Sequence, residues 1–144
     1  MHVATILKQK GRSVTTAAPT ATLMEAARSL AQRRIGAIVI ADSEMRVVGI
    51  LSERDIVRAV AQSGPRVLDA PVSDVMTRTV IMCREEDTIE HLMKEMTRGR
   101  FRHLPVVDSA EKLCGIISIG DVVKHHVEDV ERDANALRAY IAHA

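Results

Sequence analysis

The sequence is poor in aromatic residues and in net charge. One Phe, one Tyr and no Trp stand among 144 residues, which leaves almost no surface for stacking single-stranded nucleic acid. Twenty Lys and Arg against 19 Asp and Glu give a net charge of +1, so no global field draws the chain to nucleic acid, membrane or acidic substrates. Any electrostatic recognition has to be local. Cys83 and Cys114 are the only cysteines, each in an apolar stretch and not as Cys-x-x-Cys, and both read as reduced core residues. His125 and His126 are adjacent, so on a helix they point about 100° apart and do not suit a shared metal as an i, i+4 pair would; no metal site is expected. No apolar run approaches the ~18 residues of a membrane span. The opening MHVATILKQKGR has neither a long apolar core nor a cleavage site, so a cytoplasmic, soluble protein is expected.

What is present is a duplication. Displacing the chain by 66 positions aligns residues 14–62 with 80–128 without a gap. Ten positions are then identical, including Thr22/Thr88, Arg34/Arg100, Asp42/Asp108, Gly49/Gly115, Ser52/Ser118 and Asp55/Asp121. Chance at average composition would give roughly three. With 47% hydrophobic residues the chain can bury one compact core or two small units sharing one.

Both copies carry the same order of signals. A short extended piece, VTTA or VIMC, leads to a helix, which in the first copy begins with Thr22 and Glu25 as a capping box and in the second near Asp87 or Thr88. Helical spacing puts Leu23, Ala26, Ala27, Leu30 and Ala31 on one buried face, and Ile89, Leu92, Met93 and Met96 on the other helix's. Two branched, apolar strands follow, joined by the turns DSEMR and DSAEK, and then a second helix opening on Ser-x-x-Asp. The unit is strand, helix, strand, strand, helix. The expected class is α+β, with two such repeats packed sheet to sheet about a pseudo-twofold axis. The segments are an N-terminal amphipathic helix (1–13), repeat 1 (14–62), a linker (63–79) with a helical turn around Val72 to Met76, repeat 2 (80–128) and a C-terminal helix (129–144). Val122, Val123, Val127, Val130, Leu137 and Ile141 form the candidate buried stripe of that last helix.

The doubled Gly-h-h-Ser-x-x-Asp (GILSERD, GIISIGD), the phrases IGAIVIAD and FRHLPVVD, and VSDVMTRTV before the second copy resemble CBS domains, the modules named after cystathionine beta-synthase. Over nearly its full length the chain is similar to a standalone bacterial CBS-pair, or Bateman, protein. The resemblance implies a regulatory module that binds adenosine nucleotides in clefts between the repeats and pairs with a second copy as a flat homodimer.

The residues themselves support such a ligand. A carboxylate in the first turn of a helix offers two acceptors to the two vicinal hydroxyls of a ribose. Ser52 and Ser118, at expected N-caps, stand where hydroxyls and free amides at the positive end of a helix receive phosphate oxygens. Gly49 and Gly115 suit either a close backbone approach or a plain bulge. Ser-x-x-Asp is also an ordinary helix start, and RGRFRH an ordinary solvated basic stretch.

From the resemblance, each Asp works with the opposite repeat, which gives two unlike nucleotide-binding clefts. One joins Ser52, Arg54 and Asp55 to Met82, Phe101, Arg102 and His103; the other joins Ser118 and Asp121 to Thr16, Ile35, Gly36 and Ala37. The first has basic residues for phosphate. The second has none at the matched positions. AMP is the simplest ligand, with ATP, ADP and NAD or NADH also compatible, and a separate target protein would receive the signal. Catalysis is not expected, since neither a phosphate-binding Walker loop nor a magnesium-type acid cluster occurs. The alternatives are a structural dimerisation module with empty clefts and nucleic-acid binding through Arg98, Arg100 and Arg102.

Overall fold

The computed structural model describes residues 1–143. Ala144, the last residue of the expected C-terminal helix, lies outside them. The order is α1 (Val3–Lys10), β1 (Thr16–Ala17), α2 (Leu23–Arg33), β2 (Ala37–Ala41), β3 (Val47–Ser52), α3 (Glu53–Ser63), two 3-10 turns (Pro65–Asp69 and Val72–Asp74), α4 (Ile89–Gly99), β4 (His103–Val107), β5 (Leu113–Ser118) and α5 (Ile119–Ala142). It is an α+β architecture of tandem repeats, as the duplication implies.

Local chemistry repeats with the sequence. Thr22 and Thr88 cap α2 and α4 by accepting from Glu25 N at 3.1 Å and His91 N at 3.2 Å. Arg34 and Arg100, identical in the alignment, close those helices in the left-handed conformation with φ of 54° and 55°. Asp42 and Asp108 fold the hairpin turns, each carboxylate accepting two amides: those of Glu44 and Arg46, and those of Ala110 and Lys112. Much of the identity between the copies therefore specifies ends and turns.

β2 pairs with β3 antiparallel and with β1 in parallel; β4 and β5 repeat the antiparallel pair. The leading strand expected from VIMC in repeat 2 does not form. Only Cys83 bridges Val106, with Cys83 N donating to Pro105 O at 2.9 Å and Val107 N to Cys83 O at 3.0 Å. Pro105 stands where repeat 1 has Val39, whose amide donates to Thr15 O. Proline has no such donor, so the ladder is cut to a single rung.

Buried residues divide into two clusters. Leu23, Leu30, Ile38, Ile40 and Leu51 of repeat 1 close over Val72 and Met76 of the linker. Ile89, Leu92, Leu104 and Ile117 of repeat 2 close over Val3, Ile6 and Leu7 of α1. Each core is thus completed by the segment that precedes the other repeat in sequence. The two sheets meet at their hairpins, where Arg46 bridges Lys112 and Leu113 N donates to Met45 O at 2.9 Å.

The glycines of the doubled motif serve this exchange. A Cβ on Gly115 would stand 2.7 Å from Leu7 Cδ2, and one on Gly49 would stand 2.8 Å from Met76 Cγ and nearer still to its Sδ. Both positions admit the crossing segment against bare backbone.

The stripe expected along α5 is corrected. Val122 is buried, whereas Val123, Val127, Val130, Leu137 and Ile141 are 47–64% exposed. Past its first turns α5 runs beyond repeat 2, so nothing in the same chain covers it. Ala31, expected on the buried face of α2, is exposed as well.

Candidate functional site

The second helix of each repeat starts with a closed capping box. Ser52 Oγ accepts from Asp55 N at 3.2 Å while Asp55 Oδ2 accepts from Ser52 N at 2.9 Å. Ser118 and Asp121 repeat this at 3.1 and 2.9 Å. The next amides, of Glu53 and Ile119, donate to Gly36 O at 3.0 Å and Arg102 O at 2.8 Å. Among the described residues the amides of Arg54 and Gly120 take no partner, which leaves one free donor at the positive end of each helix.

Between these helix starts lies a cavity of about 660 Å³, within the range of small-ligand pockets. Repeat 1 contributes Gly36, Ala37, Ile50 and the helix start Ser52, Glu53, Arg54 and Asp55. Repeat 2 contributes Gly99, Arg100, Phe101, Arg102 and His103 with Ser118, Ile119 and Gly120. The end of the linker and the start of repeat 2 close one side with Thr77, Thr79, Val80 and Ile81. The structure therefore brings most members of both expected clefts to one cavity. Ser52, Arg54 and Asp55 share it with Phe101, Arg102 and His103, and Gly36, Ala37 and Ser118 share the same walls.

Four candidates lie outside that lining. Thr16 is held in β1 opposite Val39. Ile35 lines a separate, more open groove between α2 and α3, beside Leu30 and Ile56. Met82 is exposed, one residue beyond Ile81. Asp121 is engaged by Lys10 at the end of α1, whose ammonium donates to Asp121 Oδ2 at 2.6 Å and to Ile116 O at 3.0 Å. The second motif thus has a cation beside it, at a place outside the positions matched between the repeats. The cation comes from a segment outside both repeats. Asp55 forms no ion pair among the described residues.

The cavity is biased toward anions. Arg54, Arg100 and Arg102 line it against the carboxylates of Glu53 and Asp55. Burial lowers the pKa of His103, Lys10 and Arg102 lower it further, and Asp121 and Glu53 offset this in part; the imidazole is neutral at neutral pH. Burial alone would raise the Asp121 carboxyl. The Lys10 ammonium and the Ser118 amide and hydroxyl outweigh that and hold it below the usual carboxylate value.

Sequence reasoning missed Lys10, Arg100 and the wall Thr79–Ile81. Thr79 ends the linker, and Val80 and Ile81 belong to the piece expected as the leading strand of repeat 2. Arg100 lies within RGRFRH and is named only for the nucleic-acid alternative, while nothing local marks Lys10, which meets Asp121 across 111 positions.

The sequence model of the CBS domain matches residues 10–62 and 72–128. A CBS-domain-containing protein of Agrobacterium tumefaciens, 46% identical, superposes with a TM-score of 0.83 over 88% of this chain and 99% of its own. A CBS domain protein of Pyrobaculum aerophilum, described in complex with AMP, is 32% identical with a TM-score of 0.76, over 84% and 89% of the two chains. A CBS domain pair in complex with 5'-methylthioadenosine and S-adenosyl-L-methionine is 28% identical with a TM-score of 0.80, over 90% and 98%. A 17.7 kDa protein of Acidianus ambivalens is 40% identical over 106 residues, 74% of this chain and 63% of that protein. The chain spans only 22% of a longer CBS domain-containing protein of Arabidopsis thaliana.

Proposed function

The chain belongs to the CBS-domain family, and on that premise we propose that it is a non-enzymatic sensor that binds an adenosine nucleotide in the cavity between its repeats. The observation that carries this reading is the pairing of Asp55 with the wall opposite. A carboxylate oriented by its own capping box, free of any ion pair, opens on the same space as Arg100, Arg102 and His103. Asp55 has the geometry to take two ribose hydroxyls while the free amide of Arg54 and the basic wall receive phosphate. Thr79, Val80 and Ile81 offer a flank for the purine.

AMP is the first candidate, as the simplest ligand that joins a ribose for Asp55 to a phosphate for the basic wall. ATP, ADP and NAD(H) share the same adenosine part, and so do the two ligands of the similar CBS pair; recognition centred on the ribose admits all of them. The Ser52 and Ser118 hydroxyls are committed as caps, which supports binding without turnover. Occupancy would be passed to a separate protein by favouring one relation of the two repeats, to the extent of the ligand's differential affinity for it.

A homodimer completes the reading. The exposed Val123, Val127, Val130, Leu137 and Ile141 recur at helical spacing along α5, and Val57 is exposed at the position equivalent to Val123. A second copy presenting the same faces would cover both.

Mass spectrometry of the small molecules released when the purified protein is denatured tests the function. An adenosine nucleotide in near-stoichiometric amount is expected. A protein that releases none and gives no heat with AMP, ADP, ATP, NAD or NADH would leave the structural-module alternative in its place.

A further inference from the structure

The two capping boxes have the same internal geometry and differ in what stands beside the acid. Around Asp55, the chain that follows the linker turn passes as backbone: Thr77 N donates to Ile50 O at 2.9 Å and Ile50 N to Thr77 O at 3.0 Å. Around Asp121 the equivalent strand edge at Ile116 is not closed by backbone. Its carbonyl accepts from Lys10 Nζ at 3.0 Å, and the same ammonium reaches Asp121 Oδ2 at 2.6 Å. The equivalent bridges Thr22–Pro71 and His2–Thr88 match α1 to the linker at an offset of 69, so Leu7 corresponds to Met76 and Lys10 to Thr79, which carries no charge and lines the cavity.

From this difference we infer that Lys10 is a built-in occupant of a latent second ribose subsite at Asp121, and that it limits the chain to one adenosine ligand, held on Asp55. The inference rests on the proposed nucleotide function. An ammonium at hydrogen-bonding distance from the carboxylate oxygen fills the place that a ribose hydroxyl would take. It is anchored twice, once on the carboxylate and once on the strand carbonyl. The helix that carries it cannot drift away, because Val3, Ile6 and Leu7 are fully buried in the repeat 2 core. A second ligand must therefore break two hydrogen bonds of one charged side chain before its ribose is bound.

Other parts of the subsite are present. Ser118 and Gly120 stand at the helix start on the cavity wall, the Gly120 amide is unpartnered among the described residues, and Gly36 and Ala37 of the opposite repeat face the same space. Thr16 and Ile35 of the expected second cleft lie outside this lining, and the acid itself is closed off by Lys10. Lys10→Met, which removes the ammonium and keeps a side chain of similar length, gives access to it.

Calorimetric titration of the full-length chain with AMP, and separately with adenosine, tests this. The wild-type chain is expected to bind one equivalent of each, with any second equivalent weaker by roughly tenfold or more, the scale of a charge-assisted hydrogen bond that must first be broken. Lys10→Met is expected to bind two, and Asp121→Asn added to it to return the count to one. The adenosine arm separates the two roles open to a lysine, since adenosine has no phosphate for an ammonium to attract. If Lys10→Met still binds one equivalent, or loses affinity for AMP while keeping its affinity for adenosine, Lys10 is not an occupant but at most a phosphate ligand, and the inference is overturned while the function stands. If neither protein binds AMP or adenosine, the function itself fails. A thermal melt of each variant, unchanged within a few degrees, shows that α1 is still seated.

Discussion

His103 is the cavity residue whose charge a ligand can change. Its pKa lies below the ordinary histidine value of 6.5, chiefly through burial and the nearby Lys10 and Arg102. A phosphate between those groups would raise it, so binding should take up protons at pH values between the free and the liganded pKa. AMP affinity of the wild-type chain relative to His103→Gln is expected to rise several-fold from pH 8 to pH 6. Calorimetry in two buffers of different ionisation enthalpy reads the proton uptake directly; adenosine should show none. Asp121 gives the opposite linkage. Its folded pKa is depressed, so its contribution to stability is present above the unfolded value and is lost as pH falls through the folded one. Lys10→Met removes part of that depression. Acid unfolding followed by circular dichroism should then begin at higher pH, while stability at pH 7 changes by no more than about 1 kcal/mol, as for other partly exposed pairs. At this scale the sequence was legible where chemistry is local. Ser and Asp three apart form a cap wherever a helix starts, whereas Lys10 and Asp121 meet only because α1 crosses to repeat 2.

Among the elements, helices and hairpins could be read because their signals lie within a few residues: threonine caps, a 3.6-residue apolar spacing, and aspartates that fold turns. Two features could not. One is the lost strand of repeat 2, where the hydrophobic pattern of VIMC matches a strand but the donor on the neighbouring strand is missing at Pro105. The other is the exchange of α1 and the linker turn between the cores, which leaves no periodic trace except the paired glycines beneath them. Those glycines give an unequal prediction. Gly115→Ala sets a Cβ against Leu7, which is branched and fully buried, and should cost about 1–3 kcal/mol. Gly49→Ala meets the flexible end of Met76 and should cost clearly less, even with Thr77 O at 3.1 Å. Thermal unfolding of the two variants ranks them; equal losses would mean that α1 is not pressed onto β5.

For the molecule as a whole, the duplication made the α+β repeat architecture legible, but not which surfaces the assembled chain leaves open. The amphipathic pattern of α5 was read as a buried stripe, yet periodicity reports that a face needs a partner without saying whether the partner is in the same chain. If α5 carries the proposed dimer, Val127→Glu with Val130→Glu converts it to a monomer in sedimentation without loss of helicity. The cavity depends less on that assembly, because every wall of it comes from one chain. Its chemistry reduces to one carboxylate facing one basic wall, so the most direct measurement is AMP titration of the wild-type chain beside Asp55→Ala and Asp121→Ala. Saturable binding that Asp55→Ala weakens at least tenfold and Asp121→Ala leaves nearly unchanged is the predicted result. Equal loss from both substitutions, or no binding by the wild-type chain, would contradict it.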